Sequence, residues 1–332
     1  HVRVAASGVC RSDLSIIDGT IPHPLPAVLG HEGAGVVLEC GAAVTTVAPG
    51  DHVILSWVAP CRRCFFCLHD HPELCEHGLD HAFAQPYATA ADGTALLAAF
   101  GTATFGEETI VPESACVRID ADFPLEQAAL IGCGVVTGVG AVCNSARVEP
   151  GASVAVVGCG GVGLATIQGA RLSGAAPIIA VDTVPSKLDL ARQCGATEVV
   201  DAAQTDPVAA VRELTGGRGA DFTFEVVGLS ATIQQAYAMT RRAGTCTIVG
   251  AGGFDDMVSF AAMQLMYDVK TVRGCVYGGT DPARDFPEMV RLQRAGKLDL
   301  EALITRRIEL DDVGDAFDAM RAGNVARSVI VY

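Results

Sequence analysis

The stretch that most constrains this chain runs from residue 153 to residue 182. A compact β-rich run at 153–157 leads into Gly158-Cys159-Gly160-Gly161-Val162-Gly163. A helical stretch to about Leu172 follows, then a strand at 178–181 that ends beside Asp182. A strand, a Gly-x-Gly-x-x-Gly turn opening a helix, and an acidic residue after the next strand form the context in which such a loop binds a dinucleotide. Gly158, Gly160 and Gly163 allow the tight turn, the backbone's approach to pyrophosphate and close helix packing. Gly161 and Val162 begin the helix, whose N-terminus offers N–H groups and positive potential to phosphate. Asp182 falls 24 residues after Gly158, where a carboxylate meets the adenosine ribose 2′-OH. Thr183 follows it and no Arg is adjacent, so a 2′-phosphate would be repelled; the expectation is NAD rather than NADP. A bare glycine turn is the weaker reading of this context.

Strand and helix keep alternating after this loop, through 186–194, 198–200, 207–214, 221–227, 233–239 and 245–249. That rhythm predicts an α/β, doubly wound parallel sheet. The first 131 or so residues read differently, as short strands, turns and loops: 30–39, 52–55 and a strand region at 110–119, before a helix at 124–130. At 332 residues two domains are the natural expectation. Half the residues are apolar and 18% are charged, a globular composition. The net charge of −15 argues against nucleic acid and anionic membrane as partners, since both select basic surfaces. Apolar runs such as 153–167 are glycine-rich and shorter than the roughly 18–20 residues a spanning helix needs. The sequence opens at His1 on an alternating run that already reads as a strand, so the natural chain is expected to begin upstream.

Thirteen cysteines do not read as a disulfide framework, because four crowd into 61–75 and the rest are scattered through apolar stretches. A reducing, cytoplasmic setting with metal binding is expected instead. Cys61-x2-Cys64-x2-Cys67-x7-Cys75 brings four thiolates close enough to wrap one Zn²⁺ tetrahedrally, a closed and therefore structural site. An iron–sulfur cluster is the rival. His69, His71, His77 and His81 flank this lobe and read as loop histidines. A further set, Cys10, His31 and Cys133 with Glu32 beside it, is too widely spaced to form a motif. Three ligands with a fourth position open are the pattern of a catalytic zinc, which polarises an alcohol oxygen.

Taken together, Gly8-Val9-Cys10-Arg11-Ser12-Asp13, Gly30-His31-Glu32, the four-cysteine lobe, Ile131-Gly132-Cys133-Gly134 and the glycine loop resemble the zinc-dependent medium-chain alcohol dehydrogenases, of the liver-type and class III branch. Phe100-Gly101-Thr102-Ala103-Thr104-Phe105 and the terminal Arg327-Ser328-Val329-Ile330-Val331 extend the likeness over essentially the whole chain. The resemblance implies a GroES-like β-rich catalytic domain over 1–134, a Rossmann coenzyme domain over 135–276 and a return to the catalytic domain over 277–332. It implies two zinc ions per chain: a catalytic one on Cys10, His31 and Cys133, with Glu32 as exchange ligand, and a structural one on Cys61, Cys64, Cys67 and Cys75. Ser12 matches the hydroxyl that bonds the substrate oxygen, and Asp13 the carboxylate that orients the ligand histidine. Arg11 and Arg327 match pyrophosphate contacts, Asp182 and Lys187 adenosine-ribose contacts, and Thr137 a residue beside the nicotinamide. Many liver-type relatives carry a relay histidine where this chain has Ser15.

Pocket positions of the family fall on Ile21, Trp57 and Phe100, which implies an apolar pocket for primary aliphatic or aryl alcohols, oxidised to the aldehyde with NAD. The rival substrate is a thiol adduct of formaldehyde, of glutathione or mycothiol type. That substrate carries carboxylates and wants a cation, yet no Lys or Arg lies between Arg63 and Arg118. A zinc-bearing binding protein without catalysis is the alternative outside enzymes. The loop-rich segment 75–100 resembles that of the dimeric branch, so a homodimer is expected over a tetramer.

Overall fold

The structure is a computed structural model that describes residues 1–84, 86–323 and 326–332. The chain forms two compact units, one of His1–Val136 with Thr280–Tyr332, the other of Thr137–Gly279.

In the second unit six strands form a parallel sheet in the order Glu198–Asp201, Ile178–Asp182, Val154–Val157, Ala220–Glu225, Thr240–Ile248, Thr271–Gly274. The central strand Val154–Val157 is apolar at every position and wholly buried, as a strand covered on both faces must be. Val157, Val181, Val200, Val211 and Met239 share one core; each such aliphatic side chain contributes about 1.5–3 kcal/mol on burial. The helix Pro185–Cys194 stops at Gly195, whose φ of +119° only glycine adopts readily. Asp206 caps Pro207–Leu214 by accepting the Val208 N–H at 3.0 Å. The sheet-edge strand Thr271–Gly274 was not expected: it is exposed along its whole length and has no alternating pattern.

The first unit holds a seven-stranded sheet in the order Arg306–Ile308, Ser328–Val331, Val2–Val9, Glu32–Val37, His52–Leu55, Cys116–Ile119, with Glu108–Thr109 also on Val2–Val9. Two registers matter for the site. Ser328 pairs with Val9, which brings Arg327 beside Cys10, and Glu32 pairs with Gly8. Val9, Leu14, Ile308, Phe317 and Ile330 pack a core beneath this junction.

The helix expected at 124–130 runs on as one helical stretch, Leu125–Ala146. It is long and apolar enough to cross a membrane, but 83% of its most apolar window is buried in protein. It carries two π-helical segments, Ile131–Val135 and Ala141–Ala146, the first of which widens the turn where Cys133 sits.

Candidate functional site

The helix Arg11–Ile17 follows directly on the strand Val2–Val9, and Cys10 is its N-cap residue. Asp13, fully buried, fastens the corner. Its Oδ2 accepts the Cys10 N–H at 3.3 Å, and its Oδ1 accepts the Gly30 N–H at 2.9 Å and bonds His31 Nδ1 at 3.0 Å. The bond fixes the imidazole and leaves Nε2 as its ligand atom. Ser12 Oγ lies 3.8 Å from Cys10 Sγ.

Cys10, His31, Glu32 and Cys133 are all buried, and their ligand atoms lie within 4.8 Å of one another. Glu32 Oε1 accepts from Arg327 Nη1 at 2.8 Å, while Oε2 is buried with no hydrogen-bond partner. Nearby glycines are a consequence of this crowding. A Cβ on Gly8 would meet Glu32 Oε2 at 2.1 Å, and one on Gly134 would meet Arg327 Nη2 at 2.3 Å.

The electrostatics suit a cation. The hydrogen bond from Cys133 holds the Cys10 thiol well below its ordinary value despite burial, with His31 helping. That same bond, together with burial, pushes Cys133 well above its own. Burial would lower His31, but the charges of Asp13 and Cys10 outweigh it and raise the ring well above its usual range. Burial pushes Glu32 up to about 7 against the pull of Arg327. Two cysteine sulfurs and one oriented imidazole, with a buried carboxylate oxygen without a partner beside them, form a donor set that fits Zn²⁺.

Cys61, Cys64, Cys67 and Cys75 likewise bring their sulfurs within 4.8 Å of one another. Cys64 and Cys75 sulfurs are 3.8 Å apart, and Cys75 Sγ accepts N–H groups of Cys61 at 3.2 Å and His77 at 3.4 Å. The Cys67 N–H brings Cys64 down to about 6, while burial pushes Cys67 up to about 12. With four sulfurs and no open position, this set fits a structural zinc. His69, His71 and His77 bond Phe65 O, Glu73 and Asp80 instead. Arg62 binds Asp281 through both guanidinium ends, at 2.7 and 2.6 Å.

In the other unit, Gly158 turns at φ +99° after the strand Val154–Val157, and the helix Gly161–Leu172 starts three residues later. A Cβ on Gly163 would meet Gly158 O at 1.9 Å, the close packing that the glycine spacing implies. Asp182 Oδ2 accepts the Cys159 N–H at 2.7 Å and Oδ1 the Val184 N–H at 3.0 Å, so the carboxylate is held at the strand's end. Lys187 is half-buried on the helix Pro185–Cys194, and Thr137 is buried.

Of the three residues expected at a pocket, Phe100 and Trp57 come together: their rings are 5.9 Å apart, edge to face, and Phe100 is 4.6 Å from the His31 ring. Ile21 lies half-buried on the turn after the helix Arg11–Ile17, its N–H bonded to Ser15 O. Phe100 and Ala103 have φ of +50° and +46°, a conformation that costs of order 1–3 kcal/mol per non-glycine residue. Sequence reasoning missed the Glu32–Arg327 pair and the triple role of Asp13. Only the sheet register could have found the first, across 295 residues.

Comparison with known proteins gives a consistent result. Residues 1–121 match the model of the alcohol dehydrogenase GroES-like domain, and residues 161–294 that of the zinc-binding dehydrogenases. An S-(hydroxymethyl)glutathione dehydrogenase of Photobacterium damsela subsp. piscicida is 40% identical over all of this chain and 92% of its own length. The benzyl alcohol dehydrogenase of Acinetobacter calcoaceticus superposes with a TM-score of 0.92 at 34% identity, over 99% of this chain and 91% of that one. A zinc-binding-domain alcohol dehydrogenase protein of Burkholderia ambifaria does so with a TM-score of 0.93 at 36% identity, over 99% and 90%.

Proposed function

The chain belongs to the zinc-dependent, GroES-like alcohol dehydrogenase family of medium-chain oxidoreductases, and we propose that it oxidises a terminal hydroxymethyl carbon with NAD as acceptor. The observation that carries this reading is the buried cluster of Cys10, His31, Glu32 and Cys133, with one carboxylate oxygen left without a partner.

Bound there, zinc supplies Lewis acidity toward the alcohol oxygen, and the dinucleotide supplies a hydride acceptor. Cys10, His31 and Cys133 hold the metal, and Asp13 keeps the imidazole turned toward it through Nδ1. Glu32 Oε2 serves as the exchange ligand, while Arg327 neutralises the carboxylate through Oε1. Ser12 Oγ accepts the hydroxyl proton as it passes its own to solvent, so that the carbon loses a hydride to NAD and the oxygen a proton to water in balance. Trp57, Phe100 and Ile21 hold the organic part of the substrate. Asp182 favours NAD over NADP because a 2′-phosphate beside a fixed carboxylate is repelled. Lys187, Arg11, Thr137 and Arg327 are the remaining cofactor contacts in this reading.

Two substrates share the required hydroxymethyl group. The names of the curated relatives favour a thiol adduct of formaldehyde over the simple primary alcohols expected from the sequence. A primary aryl alcohol is the second reading, favoured by the aromatic wall of Trp57 and Phe100 and by the absence of Lys and Arg from residues 64–117. NADH absorbance is the test, with NAD plus formaldehyde and glutathione in one cuvette and NAD plus benzyl alcohol in another. Turnover that requires the thiol supports the first reading and turnover of benzyl alcohol alone the second. Silence in both, across a panel of primary alcohols, would overturn the enzyme reading.

We also infer a cytoplasmic homodimer. The exposed edge strand Thr271–Gly274 has unpaired backbone groups, and Met263, Met266 and Val269 stand exposed just before it. A second copy related by a two-fold axis would pair that edge with itself. Sedimentation at micromolar concentration checks it, and a monomer would overturn it.

A further inference from the structure

The loop behind the aromatic wall is bonded tightly on one side. Thr102 Oγ1 donates to Gly30 O at 3.1 Å, and the Thr104 N–H donates to the same carbonyl at 3.0 Å. Immediately before those bonds, Phe100 and Gly101 take left-handed conformations, with φ of +50° and +74°. A phenylalanine leaves that conformation unless neighbours hold it there. The neighbour on Gly101 is His81. A Cβ added to Gly101 would meet His81 Nε2 at 1.9 Å and Cδ2 at 2.3 Å, so the imidazole stands against the bare glycine. His81 belongs to the helix Asp80–Ala84, which follows the four-cysteine cluster, and Ala82 on that helix is fully buried. Its Nε2 is buried against the Gly101 backbone, and burial pushes the ring's pKa down. Burial disfavours the charged form of the ring, which acts here as a flat body packed on the glycine.

We propose that His81 is a positioning residue for substrate specificity: packed on Gly101, it holds the Phe100 turn left-handed and so sets how far the Phe100 ring reaches across His31 and Trp57. This rests on the reading of Phe100 as a wall of the substrate pocket. In the physical picture, a flat ring on a glycine leaves the turn one conformation, and the phenyl then has one position from which to narrow the pocket. A smaller or non-planar side chain at 81 frees the turn and lets the phenyl withdraw.

The test compares kcat/KM for benzyl alcohol with kcat/KM for 1-propanol in H81A, H81L, H81F and F100L, beside Tm and zinc content. The expected result is a change of at least about fivefold in that ratio for H81A and H81L, with zinc content unchanged. H81F, which restores a flat ring, is expected to return the ratio to within about twofold of the wild type. H81L is scored by the same rule if H81A does not fold. A shift in F100L with none in the folded His81 variants overturns the role of His81 alone, whatever their Tm. No shift in F100L overturns the pocket reading itself, and the inference with it.

Discussion

The two cysteine clusters of the first unit use the same element in opposite ways. Around Cys10, His31, Glu32 and Cys133 the donors are of three kinds, all buried, and two of them are answered by a charged second residue: Asp13 behind His31, Arg327 behind Glu32. Around Cys61, Cys64, Cys67 and Cys75 the donors are four sulfurs, three of them half-buried, supported mainly by backbone N–H groups. Mixed donors with a spare carboxylate oxygen leave a metal able to change partners. Four identical sulfurs on a short loop leave it only one arrangement, suited to fixing the chain. The difference teaches that charged second partners, more than the ligands themselves, mark the site of chemistry.

That contrast breaks most visibly at His31. In His31→Ala, kcat/KM is expected to fall by at least about a thousandfold, because Lewis-acid help is worth several kcal/mol and each ~1.4 kcal/mol is a factor of ten. Steady-state rates with zinc added back check it. The partner residue should matter next: Asp13→Asn keeps the shape but weakens the grip on His31, with an expected loss of about 10–100-fold in activity or zinc affinity. In the lobe, Cys64→Ser is expected to lose the structural zinc and lower Tm by on the order of 5–10 °C, with a smaller effect on activity than Asp13→Asn. Calorimetry and protease mapping of residues 61–84 follow that loss.

The smallest effect is one of protons. With His31→Ala used so that only the lobe binds metal, zinc uptake by stripped protein is expected to release more protons at pH 5.5 than at pH 7.5. Cys64, brought down to about 6, has already lost its proton at the higher pH and holds it at the lower one. Zinc must displace that proton below pH 6, so affinity weakens there. Equal release at both values would contradict the assigned order of ionisation.

The cofactor unit was largely legible in the sequence, because a strand buried on both faces is an unbroken apolar run and a glycine turn marks its end. Val154–Val157, Ile178–Asp182 and Pro207–Leu214 lie within a residue of where the pattern put them. The helix Leu125–Ala146 was legible only to residue 130, since Gly132, Gly134, Gly138 and Gly140 are poor helix formers. The fold uses their missing side chains instead: a Cβ would meet Leu55 O at 2.8 Å from Gly132 and Gly278 O at 2.5 Å from Gly140. At the four-residue cluster, residue type and family likeness named residues that the fold brings within 4.8 Å of one another. The antiparallel register that sets Arg327 beside Cys10 is a long-range property that no local pattern carries.

Zinc content and NADH formation, measured together on wild type, His31→Ala and Cys64→Ser, test the account most directly. About two zinc ions per chain are expected in the wild type and about one in each variant. NADH formation should persist in Cys64→Ser and vanish in His31→Ala. A His31→Ala protein that oxidises its substrate at the wild-type rate would contradict the assignment of this cluster as the catalytic centre.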